Sequence, residues 1–376
     1  MTTQREYGST ARIALVGGGF MSVVHARAAR AAGATVVGVA SRSAAGAERA
    51  RSELGAGIAY PSWRDLLSDD TVDVVHICSP NQSHVEIAMA AIAAGKHVIC
   101  EKPLATSVGE AAALADLAAA NSELVTAVPF VYRFHAMVRE ARARVRRGET
   151  GRLFSLHGAY LQDWLADETD DDWRVDPARG GPSRAFADIG SHLSDVLQFI
   201  TADPIARLSA ATRTVHRNRS INKDIASEDV VTLVFETLGG VIGTMHVSQV
   251  ALGHKNGLSI EIDGAHESLA FDGETPDTLR IGTRAGVFHS ARSDAISPEA
   301  ARYSVVPAGH PQGYQEAFNG FVADVYAAVA GEAPDGLPTF DDGYRAAAVT
   351  DAVLRSRADG AWVDVARRPE ATTTSR

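Results

Sequence analysis

Ile13-Ala14-Leu15-Val16-Gly17-Gly18-Gly19 decides the fold. A short apolar run of this kind is what a fully buried parallel strand looks like, and here three glycines close it. An alanine-rich stretch to Ala32 follows, then Gly33 and a second strand over 35–40. The spacing Gly17-x-Gly19-x-x-Ser22, set between strand and helix, is what phosphate binding requires. Gly17 permits the tight turn and Gly19 lets a pyrophosphate approach the backbone at the helix N-terminus. Ser22, in place of a third glycine, is small enough for close helix–strand packing.

Working outward, 44–54 is helical in composition and 72–77 reads as a strand. Ser83-His84-Val85-Glu86 has the form of a capping box opening a helix to Ala94. Gly95 ends that helix before strand His97-Val98-Ile99-Cys100. Ser107 to Glu110 repeats the capping pattern, with a helix to about 121 and a strand over 124–128 that stops at Pro129. The repeated strand–helix order predicts a dinucleotide-binding Rossmann domain over 11–130, an α/β unit with a doubly wound parallel sheet.

Past residue 130 the rhythm changes. A helix over 135–146 ends in Gly148-Glu149-Thr150-Gly151, and strand-like segments follow at 153–160, 205–215, 229–235, 241–250, 258–262 and 268–271. Helices return at 190–200, 314–330 and 342–356. Strands joined by turns predict an α+β unit over 131–366 with a mainly antiparallel open sheet covered by helices on one face, which leaves the other for oligomerisation. Residues 1–10 and 367–376 read as polar, disordered tails.

The chain has 376 residues, 45% hydrophobic and 22% charged, which fits a soluble protein with two cores. A formal net charge of −10 gives no footprint for nucleic acid. The arginines at 142, 144, 146 and 147 fall at helical spacing and read as a solvated face. Cys78 and Cys100 each end a buried strand and are expected as free thiols, with no disulfide or zinc site. No apolar core of a signal peptide opens the chain, and no run approaches the ~18 residues a membrane helix needs. The expected location is the cytoplasm.

Three places carry chemistry. Glu101-Lys102-Pro103 follows the strand ending at Cys100, and ligands collect outside the carboxyl ends of strands in open α/β sheets. A lysine there can hydrogen-bond an alcohol and stabilise the alkoxide as hydride leaves. Asp188-Ile189-Gly190-Ser191-His192 places an acid and a histidine four residues apart. On the first turn of a helix they share one face, with Gly190 between them to let a ligand come close. Lastly, Ser41-Arg42-Ser43 closes the second strand where NAD sites usually carry an acid, and the next acid is Glu48. Ser41 and Arg42 suit a 2′-phosphate, so NADP is expected to serve at least as well as NAD; the opposing reading lays Arg42 flat on the adenine. The run at 167–172 holds five acids in six positions and reads as a solvated loop, with no histidine or cysteine cluster to make a metal site.

Taken together these residues resemble the Gfo/Idh/MocA family, which includes glucose–fructose oxidoreductase and inositol dehydrogenase. Gly95-Lys96-His97-Val98-Ile99-Cys100-Glu101-Lys102-Pro103-Leu104 is similar to that family's most recognisable block. Cys78-Ser79-Pro80-Asn81 with His84 resembles the stretch bordering the cofactor, Tyr132-Arg133 the entry to the second domain, and 188–192 the catalytic helix. Gly360-Ala361-Trp362-Val363 resembles its closing strand. The resemblance implies that the unit over 131–366 also binds substrate. It implies Lys102 orienting a hydroxyl, His192 as general base and Asp188 holding the site, with either His192 or Lys102 finally carrying the proton; a histidine titrating near neutrality suits the base role. It implies cofactor contacts from Gly17, Gly19, Phe20, Met21, Ser41, Arg42, Ser79, Pro80, Asn81, His84, Glu101, Lys102 and Arg133. Substrate contacts are implied at Gln162, Asp163, Trp164, Trp173 and Arg174, besides Lys102, Asp188 and His192; Trp164 and Trp173 read equally well as core. The implied activity is NAD(P)-dependent oxidation of a secondary hydroxyl of a sugar, cyclitol or related polyol, in a homodimer or homotetramer. Alternatives within the family are a glycosidase or lyase using transient oxidation and a catalytically silent dinucleotide sensor.

Overall fold

The structure, a computed structural model, describes residues 11–293 and 295–368. Of the tails expected at 1–10 and 367–376, residues 1–10 and 369–376 lie outside the described residues. Arg367 and Arg368 are described, and Arg368 pairs with Asp116 at 2.5 Å and Asp341 at 2.9 Å.

The first part of the chain runs β1 (Arg12–Val16), α1 (Phe20–Ala31), β2 (Thr35–Ala40), α2 (Ala44–Leu54), β3 (Ile58–Tyr60), α3 (Trp63–Leu67), β4 (Val74–Ile77), α4 (His84–Ala93), β5 (His97–Cys100), α5 (Val108–Ala120) and β6 (Thr126–Ala127). The six strands are parallel in the order β3-β2-β1-β4-β5-β6, the doubly wound arrangement whose order reverses between β1 and β4. Ile13, Ala14 and Leu15 are fully buried because helices cover both faces of the sheet. β3 and α3 do not stand out in the sequence, being only three and five residues long.

The expected capping box at Ser83 does not form. The Ser83 hydroxyl donates to the Pro80 carbonyl at 2.7 Å, closing a 3₁₀ turn over Asn81–Ser83, and Glu86 instead pairs with Arg64. Ser107 does cap α5, accepting from the Glu110 amide at 3.3 Å.

The chain continues through α6 (Ala136–Arg146), β7 (Leu153–Leu161), α7 (Pro177–Gly180), α8 (Ser191–Thr201), β8 (Ile205–Arg213), β9 (Val230–Thr237), β10 (Ile242–Ser248), β11 (Gly257–Gly264), β12 (Ser268–Asp272), β13 (Thr278–Thr283), β14 (Gly286–Ala291), α9 (Pro298–Ala301), α10 (Tyr314–Val329), α11 (Phe340–Asp359) and β15 (Val363–Asp364). The second sheet has nine strands in the order β14-β13-β12-β11-β7-β10-β9-β8-β15, antiparallel except for β7 with β10. Leu156, Leu233, Phe235, Met245 and Ile260 fill its inner face. Gly158 has no room for a Cβ, which would lie 2.8 Å from Leu193, so α8 sits close against β7. On the other face Thr232, Val234, Thr244 and His157 are exposed. Hairpin β13–β14 was not expected from the sequence.

The chain then returns to the first sheet. α10 presents Phe318, Phe321, Val322 and Val325 at helical spacing to α1, and all four are buried in one core with Ile13, Leu15 and Val24. Each such side chain contributes roughly 1.5–3 kcal/mol by burial. The arginine row on α6 departs from the solvated face expected. Arg142 pairs with Asp335 at 2.6 Å and with Glu299, and Arg144 with Glu267 at 3.0 Å, tying α6 to neighbouring segments. The acidic run is pinned too: Asp171 accepts from the Ile221 and Asn222 amides at 2.6 and 2.8 Å. Among the described residues no helix is long and apolar enough to cross a membrane.

Candidate active site

Gly17, Gly18 and Gly19 form the floor of a trough of about 700 Å³ that also takes in Ser41, Arg42, Ser79, Pro80 and Arg179. Gly17 has φ of 127°, and a Cβ there would lie 2.5 Å from the Cys78 carbonyl oxygen, so only glycine fits. Gly19 precedes α1 with no side-chain cap, and a Cβ on it would meet nothing within 4 Å. The first amides of a twelve-residue helix therefore face an open cradle, which fits a pyrophosphate. Ser22 is fully buried, as close packing of α1 demands.

Beyond Ser79 the trough opens into a second pocket of about 320 Å³. Phe20, Met21, Asn81, His84, Glu101, Lys102, Gln162, Trp173, Arg174, Asp188 and His192 line it. Cys78, Ser79 and Trp173 border both spaces, so the two are continuous. Lys102, just past the C-terminal end of β5, donates from Nζ to Asp188 Oδ1 at 2.6 Å and to the Asp188 carbonyl at 3.0 Å.

Asp188 lies not on the first turn of α8 but on a single π-helical turn, Phe186–Gly190, immediately before it. Such bulges recur at functional sites. Gly190 does not make room for a ligand, as the sequence suggested. It makes room for Phe186, whose ring would lie 2.5 Å from a Cβ. The turn is held from outside by Glu228, whose Oε1 accepts from Ser183 Oγ and from the Arg184 and Phe186 amides at 2.7–3.0 Å. Gln249 donates to Asp188 Oδ2 at 2.8 Å.

Burial alone would raise the Asp188 carboxyl, but Lys102 and then Arg174 outweigh it and hold it well below the carboxylate range. His192 moves the other way. Burial first, and then the Lys102 charge, push its imidazole down to about 3, so the ring is neutral at physiological pH rather than titrating near neutrality. Its Nδ1 is buried with no hydrogen-bond partner, and the ring rests edge-on to Phe130 and Tyr132.

Other expected residues divide. Trp173 lies at the junction of the two spaces, with the Arg174 guanidinium over its ring at 4.5 Å. Gln162 is in the wall, tied to Asn256 at 3.0 Å. Asp163 is occupied by Lys255 Nζ at 2.7 Å and does not line the pocket itself. Trp164 donates to Gln162 Oε1 and packs on a small cluster of Leu165, Val175 and Ile225, outside the pocket. The His84 ring sits between two backbone carbonyls, Nδ1 2.8 Å from that of Pro103 and Nε2 2.8 Å from that of Ser79, and so bridges the loops after β4 and β5.

Arg133 is not at the cofactor cleft. Its guanidinium is buried against Asp195 and Asp342 and lines a different cavity, because two carboxylates from α8 and α11 outcompete any position in the trough. Sequence reading missed Tyr314, Asn256, Tyr160 and Lys255 in the pocket wall and Arg49 in the trough. Tyr314 comes from α10, more than a hundred residues past His192, and only the return of the chain to α1 brings it there. Among the described residues no group of three or more potential ligands is placed to hold a metal ion.

Family comparison agrees with this geometry. Residues 11–128 match the model of an oxidoreductase family with an NAD-binding Rossmann fold, and 138–270 match the GFO/IDH/MocA C-terminal domain. Levoglucosan dehydrogenase of Pseudarthrobacter phenanthrenivorans is 31% identical over 94% of this chain and 97% of its own. An oxidoreductase domain protein from Kribbella flavida superposes with a TM-score of 0.89 at 34% identity, covering 96% of this chain and all of that one. An inositol dehydrogenase homologue from Azotobacter vinelandii, solved with NADH and myo-inositol, gives 0.85 at 26% identity over 95% and 98% of the two chains. The chain therefore belongs to the GFO/IDH/MocA family and is an oxidoreductase with an NAD-binding Rossmann fold.

Proposed function

We propose that the protein oxidises a secondary hydroxyl of a sugar, cyclitol or related polyol. The observation that carries this is the Lys102–Asp188 pair beside a neutral His192, in a polar pocket continuous with the glycine-floored trough. The bound nicotinamide would supply the hydride acceptor, held through the amides after Gly19 and walled by Ser79, Pro80 and Glu101. Lys102 orients the hydroxyl oxygen and stabilises negative charge on it, Asp188 fixes the ammonium, and the neutral His192 ring takes the proton. Arg174, Gln162, Asn256 and the Trp173 ring would grip the remaining hydroxyls and C–H faces. Screening inositols, aldoses, anhydrosugars and glycosides for rising absorbance at the reduced nicotinamide band tests it, with levoglucosan and myo-inositol first because relatives are named or solved with them. No reduction with any polyol, while sugar release from a glycoside proceeds, would favour transient oxidation instead.

We further propose that NADP is accepted at least as well as NAD. Arg42 and Arg49 both line the trough beside Ser41, and Glu48, the next acid along the chain, is taken by Arg51 at 2.6 Å. Glu53 also lines this end and opposes the preference. The exposed outer face of the second sheet is proposed to bury itself in a dimer or tetramer. Light scattering that reports a monomer at micromolar concentration would contradict that.

A further inference from the structure

Four buried side chains, from α1, β4, α10 and the loop after β5, form a single file beneath the pocket. Tyr326 on α10 meets His76 Nε2 on β4 at 3.0 Å, and His76 Nδ1 meets His25 Nδ1 on α1 at 3.0 Å. His25 Nε2 then meets Glu101 Oε1 at 3.0 Å. The other Glu101 oxygen accepts the Lys102 amide at 3.1 Å, and Glu101 lines the pocket. Both histidines are fully buried, and Tyr326 is closed off at the far end.

The file has a direction. Its end member Tyr326 has one proton and one neighbour in the file, so its hydroxyl donates to His76 Nε2. His76 must then carry its proton on Nδ1 and donate to His25, which carries its own on Nε2 and donates to Glu101. Every group is satisfied only if Glu101 is an acceptor at both oxygens, that is, a carboxylate. Running the file backwards would protonate Glu101 and leave the Tyr326 hydroxyl proton without its acceptor in the interior, which is costly. Because the file stops at a buried tyrosine, it is not a route for protons to solvent. Its output is a fixed negative charge beside Lys102, with His192, Arg174 and Tyr314 also facing it. Burial would raise the Glu101 carboxyl, and the His25 hydrogen bond heads the contributions that bring it below its usual value.

We propose that Tyr326, His76 and His25 are positioning residues that hold Glu101 ionised in the nicotinamide pocket, biasing the protein toward the oxidised, positively charged nucleotide. This rests on the dinucleotide reading above, and the test separates the two. Dissociation constants of NAD⁺ and NADH are measured by calorimetry for wild type, Tyr326→Phe and Glu101→Gln. Weaker NAD⁺ binding relative to NADH is expected, by at least ~3-fold for Tyr326→Phe and ~10-fold for Glu101→Gln, in line with the loss of the bond that sets the file's direction and of a nearby charge. Wild type binding neither nucleotide would sink the dinucleotide reading. Wild type binding both, with the ratio unmoved in either folded variant, would overturn the file. Should a variant fail to fold, nitrogen-15 histidine spectra of the wild type decide. The proton on His25 Nε2 and on His76 Nδ1 is expected, and the opposite tautomers would overturn the proposal.

Discussion

The two ends of the trough are built on different principles. At the Lys102 end every charge is engaged: the ammonium sits between two oxygens of Asp188, Gln249 takes the other carboxylate oxygen, and Glu228 braces the turn from behind. At the Arg42 end the arginine is exposed and the walls are surface segments of α2 and the loop after β3. A closed, interlocked site fixes geometry before a ligand arrives, which is where transition-state stabilisation is made. An open one only adjusts affinity. Substitutions at the first are therefore expected to act on turnover, and at the second on cofactor choice.

The sharpest way to break that comparison is Lys102→Ala. Loss of the group proposed to orient the hydroxyl is expected to lower kcat by at least ~10²-fold with little change in nucleotide affinity. Near-normal turnover would remove Lys102 from the chemistry. His192→Ala is expected to cost a similar factor, and its pH dependence adds a second reading. Because the free-enzyme imidazole is held down to about 3, it contributes no acid limb to kcat/KM between pH 8 and 5. A limb near pH 6.5 that disappears in the alanine variant would show that burial and the Lys102 charge do not keep the ring neutral as described.

Next in size comes acid stability. His76, His135 and His192 are all buried, and burial leads in lowering each, His135 to about 4. Their folded values lie below the unfolded one near 6.5, so the unfolded chain binds protons first. The stability they carry is complete above pH 6.5 and is lost as pH falls toward the folded values. Each lowers the folding constant by up to about tenfold per pH unit in that window. Thermal melts from pH 8 to 5 are expected to fall steeply below 6.5. A melting temperature that is flat from pH 7 to 5 would show that these rings are solvated.

What was legible in the sequence follows the same division. Gly17, Gly19 and Lys102 stand at strand ends whose apolar runs are continuous, so fold and chemistry share one local signal. Asp188 and His192 were singled out by spacing, though the π-turn that carries Asp188 was not legible, since it depends on Glu228 forty residues away. Arg133 was misplaced because motif proximity says nothing about Asp195 and Asp342, which claim it through tertiary contact. His25 and His76 looked like ordinary members of a helix and a strand. Only the packing of α10 makes them a file.

The smallest effect expected is also the one that tests the open end directly. Arg42 is exposed and its partner would be exposed as well, so a charge-assisted bond to a 2′-phosphate there is weakened by solvent relative to a buried one. Arg42→Ala is expected to reduce the preference for NADP over NAD by a few-fold to about tenfold, the lower end of what one such bond supplies at roughly 1.4 kcal/mol per decade. The loss is expected to be partial, because Arg49 faces the same space from α2 and Ser41 can still donate. Arg42→Ala with Arg49→Ala is expected to remove the rest while leaving kcat with NAD unchanged. Titrating both nucleotides against wild type and the two variants decides it. If NAD binds wild type more tightly and neither substitution moves the ratio, the arginines serve the adenine or the solvent, and the cofactor is chosen elsewhere in the trough.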